Sequence, residues 1–181
     1  RVDRRQRQMC IRDSLYTLAS RNKMIGKDHS DTVVGTTMSN QGVVEALGKL
    51  GVSFLRTDVG DKYISRELVK HNLNVGAEPS GHVIQREFSE SGDANIALIQ
   101  TLSALQELDT TIGEIKKNID YKPLSLKNFS VSDVEVIESE IFVESIEKLK
   151  KNHPEARISI RKSGTEPIIR AMVEAETEKD K

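Results

Sequence analysis

Between residues 31 and 105, short β-branched runs alternate with amphipathic helical stretches, and this alternation limits the fold more than any other feature of the chain. Residues 31–37 (DTVVGTT) read as a buried strand. Ser39 and Asn40 follow as N-cap chemistry, and Val43, Val44, Leu47 and Leu50 recur at helical spacing before Gly51. Residues 52–55 read as the next strand, and Tyr63, Ile64, Leu68 and Val69 mark a second helix. Residues 73–75 and 83–84 read as strands flanking a tight polar loop. Ser91-Gly92-Asp93 opens a third helix, in which Ile96, Leu98, Ile99, Leu102 and Leu105 are expected to line a broad core face. Parallel strands need such crossovers, since the intervening helix returns the chain to the edge where it started. The expected first unit is α/β: a mixed, mostly parallel sheet with covering helices.

The pattern changes near residue 106. Thr110-Thr111-Ile112-Gly113 and Tyr121-Lys122-Pro123 are connector chemistry, so residues 109–122 read as a loose linker. A small α+β unit is expected over residues 123–181. It comprises β character at 129–137, a helix carrying Phe142, Ile146 and Leu149 that stops at Asn152-His153-Pro154, and a strand with Ile158 and Ile160. After a loop at 163–167, Ile169, Ala171, Val173 and Ala175 alternate with Arg170, Met172 and Glu174 as a half-buried strand.

Composition narrows the partners. With 27 Lys and Arg against 28 Asp and Glu, the net charge is −1, which gives no reason to expect a nucleic-acid or membrane-surface partner. No apolar run approaches the length of a membrane-spanning helix. A single cysteine, Cys10, cannot form an intrachain disulfide, and a cytoplasmic location is the default. Residues 1–14 stand apart, with five arginines and two aspartates. An anion-binding arm or a targeting peptide are readings of such a tail, although the apolar core of a secretory signal is missing. The run at 5–14 also resembles translated adapter sequence, and on that reading 1–14 is a non-native or disordered tail. The main sequence would then begin at residue 15, with a first domain over 15–108.

Two loops carry candidate chemistry. Arg161-Lys162-Ser163-Gly164-Thr165-Glu166-Pro167, with Arg170, offers three cations, two hydroxyls and a glycine between two strands that are expected to pair. A phosphate dianion wants several converging donors, and arginine supplies a planar fork that matches its oxygens. The plainer alternative is a hairpin turn with solvated charges. Gly76-Ala77-Glu78-Pro79-Ser80-Gly81-His82 places a carboxylate, a hydroxyl and an imidazole within five residues, with Pro79 stiffening the loop. A carboxylate accepts hydrogen bonds from two adjacent sugar hydroxyls. Here the alternative is a polar turn with a capping glutamate. No pair of ligating residues has zinc spacing, no Ser-His-acid set stands out, and Gly35 and Gly42 do not make a dinucleotide fingerprint.

Taken together, VVGTTMSNQG (33–42), TDVGDKYI (57–64), GAEPSGHVI (76–84) and RKSGTEPIIRAMVEAE (161–176) resemble the α-D-phosphohexomutase superfamily, in order and spacing, over residues 15–181. Met38-Ser39-Asn40 is similar to the bacterial phosphoglucosamine branch rather than to phosphomannomutases and phosphoglucomutases. The resemblance implies part of the third, sugar-recognition domain, followed by a TBP-like fourth domain. It implies that Glu78, Ser80 and His82 grip sugar hydroxyls and that Arg161, Ser163, Gly164, Thr165 and Arg170 cradle a phosphate. Gly60, Asp61 and Lys62 match a second substrate-facing loop. The family usually has a second glycine at the position of Ala77, and often Gln or Met at that of Pro79. The implied activity is interconversion of glucosamine 6-phosphate and glucosamine 1-phosphate through a phosphoserine, a 1,6-bisphosphate and Mg²⁺. The family's phosphoserine and metal loops lie upstream of every motif seen here, so the chain is expected to contain neither a catalytic nor a metal residue and to show no mutase turnover alone. The two loops are expected to face one phosphosugar ligand. Another hexose branch, or a non-catalytic sugar-phosphate-binding module, are the alternatives.

Overall fold

A computed structural model describes residues 4–27, 31–163 and 166–177, with side chains from Asp13 onward. The chain divides into two units, 1–121 and 122–181.

The first unit is built on a four-stranded sheet. Strands β1 (Thr32–Thr36), β2 (Ser53–Thr57) and β3 (Val75–Ala77) run parallel, and β4 (Val83–Gln85) returns antiparallel to β3. The order is β2-β1-β3-β4. Successive strand residues point to opposite faces, and both faces are apolar. Val33, Val75, Ala77 and Val83 pack with Leu15, Leu18 and Ala19 of α1 (Arg4–Met24), Val43, Ala46 and Leu47 of α2 (Gln41–Lys49) and Ala104 of α4 (Ala94–Glu107). Val34 and Ile84, one residue along, pack with Ile64 and Leu68 of α3 (Asp61–Lys70) on the other face. Gly76 permits that approach. A Cβ there would lie 2.4 Å from Ile64 Cγ2 and 3.1 Å from the Val34 carbonyl.

Three expectations for the first unit differ from the structure. Helix α1 precedes the first strand, where the sequence shows no clear period. It includes residues 4–14, and Asp13 at its centre is fully buried, accepting a hydrogen bond from the Tyr121 hydroxyl with Lys116 Nζ 3.7 Å from its other oxygen. Within 109–122 there is a helix, α5 (Ile112–Lys117), opened by a Thr111–Glu114 capping box, and Ile115 and Ile119 enter the core of the first unit. This stretch is part of the packing rather than a loose tether. Finally, α4 buries Thr101 and Ala104, while Leu98, Ile99 and Leu102 are 59%, 63% and 58% exposed. The helix is apolar on more than one side, and its small residues face the close contact with α1.

The second unit is an antiparallel sheet in the order β5-β7-β6, formed by β5 (Leu124–Ser130), β6 (Arg157–Lys162) and β7 (Ile168–Glu174). Helix α6 (Glu140–Asn152) and a 3-10 turn at Val134–Glu138 accompany it, so the β character expected to reach residue 137 ends at Ser130. Ile160, Ile169, Ala171 and Phe129 line an apolar hollow of about 380 Å³ with Phe142 and Ile146 of α6. On the other face, Met172 and Glu174 are also buried, and Arg157 pairs with Glu174 at 2.5 Å. Strand β7 thus buries Ile169 on one face and Met172 and Glu174 on the other, so it is not half-buried on a single side.

Candidate functional site

The strand order places a crevice. From β1 the chain steps outward to β2, then crosses back past β1 to β3, so its winding reverses between β1 and β3. In open α/β sheets such a reversal leaves a cleft beyond the carboxyl ends of the two strands. Gly35 pairs with Ala77, which makes the turn at 37–40 and the hairpin loop at 78–82 direct neighbours there.

The hairpin is closed by Glu78 N donating to the His82 carbonyl at 2.8 Å and Gly81 N donating to the Glu78 carbonyl at 3.1 Å. Gly81 adopts φ 133°, a conformation open to glycine. Glu78 is only 7% exposed, whereas Ser80 and His82 lie at the surface. His82 Nδ1 is 3.5 Å from Glu78 Oε2 and 3.2 Å from Ser80 Oγ. Gly92 lies against His82, so close that a Cβ would meet the His82 Cβ at 3.1 Å. The structure therefore brings together the three residues expected here: a carboxylate set in the base of the loop, with an imidazole and a hydroxyl above it. Such a group suits a ligand with adjacent hydroxyls, which donate to the carboxylate and exchange hydrogen bonds with the rim.

Gly60, Asp61 and Lys62 open α3 on the same edge of the sheet. Gly60 sits at φ 138°, Asp61 Oδ1 accepts from Lys62 N at 2.8 Å, and Lys62 Nζ lies 4.8 Å from the centre of the Tyr63 ring. Beside them is a hollow of about 340 Å³ lined by Arg56, Thr57, Asp58, Tyr63, Arg66 and Glu67.

In the second unit, Arg161 on β6 stands opposite Arg170 on β7, and Arg170 stands opposite Asn128 on β5. Cross-strand partners share a face, so two guanidinium groups and an amide form one row. Arg170 Nη2 donates to Glu166 at 3.1 Å, while its Nε is buried without a hydrogen-bond partner among the described residues. Ser163 N closes the hairpin onto the Ile168 carbonyl at 3.0 Å. Gly164 and Thr165 lie outside the described residues. Lys162 does not join this row. It points to the opposite face, where Glu138 and Glu135 accept from its ammonium at 2.8 and 2.9 Å. Those hydrogen bonds hold its pKa well above the usual lysine range, and Lys162 in turn lowers the Glu138 carboxyl. The expected three convergent cations are thus two, because residues 161 and 162 alternate across the pleat. Asn128, which no local motif marks, completes the row.

Among the described residues no group of three or more His, Cys, Asp or Glu is placed to hold a metal ion. These side chains do not fit a Mg²⁺ site. No helix among them is long and apolar enough to cross a membrane.

Comparison with known proteins follows the two units. A family model described as phosphoglucomutase/phosphomannomutase, alpha/beta/alpha domain III, matches residues 12–121, and one described as the C-terminal domain of the same proteins matches 123–181. The phosphoglucosamine mutase of Parvibaculum lavamentivorans is 38% identical over 169 residues, covering 92% of this chain and 38% of the relative. That of Oceanobacillus iheyensis is 35% identical over 158 residues, covering 86% and 35%. The chain thus spans little more than a third of these relatives. A substrate complex of an N-acetylglucosamine-phosphate mutase superposes with a TM-score of 0.74 at 21% identity, covering 93% of this chain and 41% of that one. The Aspergillus fumigatus N-acetylphosphoglucosamine mutase in complex with GlcNAc-6P and magnesium gives 0.74 at 19% identity, covering 93% and 44%. At these identities the likeness speaks for the fold.

Proposed function

The chain belongs to the phosphoglucomutase/phosphomannomutase family, and we propose that it forms the sugar-recognition and phosphate-binding portion of a phosphoglucosamine mutase. The observation that carries this reading is the buried Glu78 carboxylate at the winding reversal, with Ser80 and His82 at its rim. The glucosamine branch is favoured over other hexoses by the relatives of that name at 38% and 35% identity.

On this reading Glu78 accepts hydrogen bonds from two neighbouring hydroxyls of the sugar. Those hydroxyls lie near the axis about which a 1,6-bisphosphate turns, so one carboxylate serves both orientations. Ser80 and His82 complete the grip. Arg161 and Arg170, with Ser163, Gly164 and Thr165, take a phosphate that is not reacting, and Asn128 adds a neutral donor. Gly60, Asp61 and Lys62 form a further wall. Binding energy gathered away from the reacting centre then supports transfer at that centre. The phosphoserine and the Mg²⁺ that neutralises phosphoryl charge belong, on this reading, to other parts of a cytoplasmic whole protein. This chain's residues bind and orient the phosphosugar.

Titration of the purified chain with glucosamine 6-phosphate and mannose 6-phosphate tests the proposal. Glucosamine 6-phosphate is expected to bind more tightly, and Glu78→Ala and Arg161→Ala each to weaken it about tenfold or more. Tighter binding of mannose 6-phosphate would move the chain to the phosphomannomutase branch. Equal, weak binding of both sugars, unaffected by either substitution, or mutase turnover by the chain alone, would overturn the reading.

A further inference from the structure

The turn between β1 and α2 is held by a residue on a different strand. Arg56 Nη1 donates to the Ser39 carbonyl at 2.8 Å and the Thr36 carbonyl at 3.2 Å, and Nη2 donates to Gln41 Oε1 at 2.8 Å. Its guanidinium carbon lies 5.3 Å from the centre of the Phe54 ring. The turn is also tied within itself, with Thr36 N donating to Ser39 Oγ at 3.1 Å and Ser39 N donating to the Thr36 carbonyl at 3.0 Å. Gly35 leaves no slack beneath it, since a Cβ there would lie 2.2 Å from Phe54 Cζ and 2.8 Å from Ser39 Oγ.

This turn borders the Glu78 hairpin at the winding reversal, because Gly35 and Ala77 are paired. Its apex, Thr37 and Met38, is half-buried and follows β1 at the same end of the sheet at which the Glu78 loop follows β3. We infer that Arg56 is a positioning residue for the sugar site: its fork fixes the 36–41 turn, so that Thr37 and Met38 stand at a set distance from Glu78 and bound the ligand on that side. The inference rests on the Glu78 reading above. A planar fork that reaches two carbonyls and an amide at once is a task for arginine; a lysine ammonium lacks the fixed angle between donors.

The test uses the whole chain, with glucosamine and inorganic phosphate as separate probes. Arg56→Ala is expected to weaken glucosamine binding about tenfold, with phosphate binding unchanged, both measured at a temperature where the variant is fully folded. Arg56→Lys is expected to recover part of the loss. Gln41→Ala, which removes one of the three contacts, is expected to give a loss of about threefold, and it replaces Arg56→Ala should that variant fold poorly. Glu78→Gln is measured in parallel. Normal glucosamine binding in Arg56→Ala and Gln41→Ala, alongside weakened binding in Glu78→Gln, overturns the role of Arg56 and leaves the site standing. Unchanged binding in all three removes the site itself, and the positioning role with it. Equal loss of glucosamine and phosphate binding in Arg56→Ala marks a general structural role and also overturns the inference.

Discussion

Arg161 and Arg170 face each other across neighbouring antiparallel strands, and both point to the same side of the sheet. Like charges placed directly opposite cost roughly 0.2–1 kcal/mol relative to a neutral pair. A bound dianion turns this repulsion into attraction to a shared partner. Arg161→Ala is therefore expected to change the stability of the free protein by less than about 1 kcal/mol, and to abolish the rise in melting temperature that the proposed phosphate site predicts for the unsubstituted chain. Thermal scans with and without phosphate at low ionic strength measure both.

Lys162 provides the contrast. Its ion pairs with Glu138 and Glu135 lie on the other face and in solvent. Lys162→Met is expected to leave phosphate affinity unchanged. Its effect is on the pH profile. The lowered Glu138 carboxyl contributes stability that is present above the unfolded glutamate pKa and is lost as pH falls through the folded value. The raised Lys162 contributes stability that is complete below the unfolded lysine pKa and is lost as pH rises through the folded value, in strong alkali. Both contributions should vanish in Lys162→Met and shrink with added salt. Denaturant titrations across the acid range for Glu138 and the alkaline range for Lys162 would show it.

The alternation that separates Lys162 from its neighbour was legible in the sequence, since successive strand residues always take opposite faces; grouping the three cations by closeness along the chain passes over it. The order of strands and helices from β1 to α4 and both hairpin loops were legible for a related reason, being written in local period and turn chemistry. Arg56 was not. It looks like one cation in an apolar strand, and its partners lie 15 to 20 residues away. Nor was the orientation of α4, because Leu98, Ile99 and Leu102 carry the same apolar signal as a core face. Only the approach of α1 selects the side bearing Thr101 and Ala104.

That orientation is testable. Leu98→Glu and Leu102→Glu are expected to leave unfolding free energy within about 0.5 kcal/mol of the parent. Ala104→Leu, which forces extra volume between α4 and its neighbours, should cost about 1–3 kcal/mol. Urea unfolding of the three variants distinguishes the two sides of the helix.

Gly76→Ala adds one methyl where Ile64 and Leu68 already press on β3. The expected cost is about 1–3 kcal/mol, with a secondary loss of sugar binding, since Glu78 lies two residues on and inherits any shift of the strand. Glucosamine titration at a temperature where the variant is fully folded separates the two effects.

Tyr121→Phe removes the hydroxyl that meets the buried Asp13 carboxylate. A buried charge deprived of a donor costs about 1–3 kcal/mol or more, so a fall in melting temperature is expected. An unchanged melting temperature would show that the Tyr121–Asp13 hydrogen bond contributes nothing to stability.

The same neighbourhood sets where this protein can be cut. Asp13 reaches forward to Tyr121, and the carbonyl of Asp120 lies so near Gly42 that a Cβ would meet it at 1.8 Å. The closing residues of the first unit thus act as a keystone laid across its opening helix and across the start of α2. A shortened version stopping at 108 would strip the cover from both, whereas one carried through 121 keeps the arch whole. Recombinant boundaries for the first unit, and the choice of sites for inserting tags or reporters, follow from that seam rather than from the change in composition near residue 106.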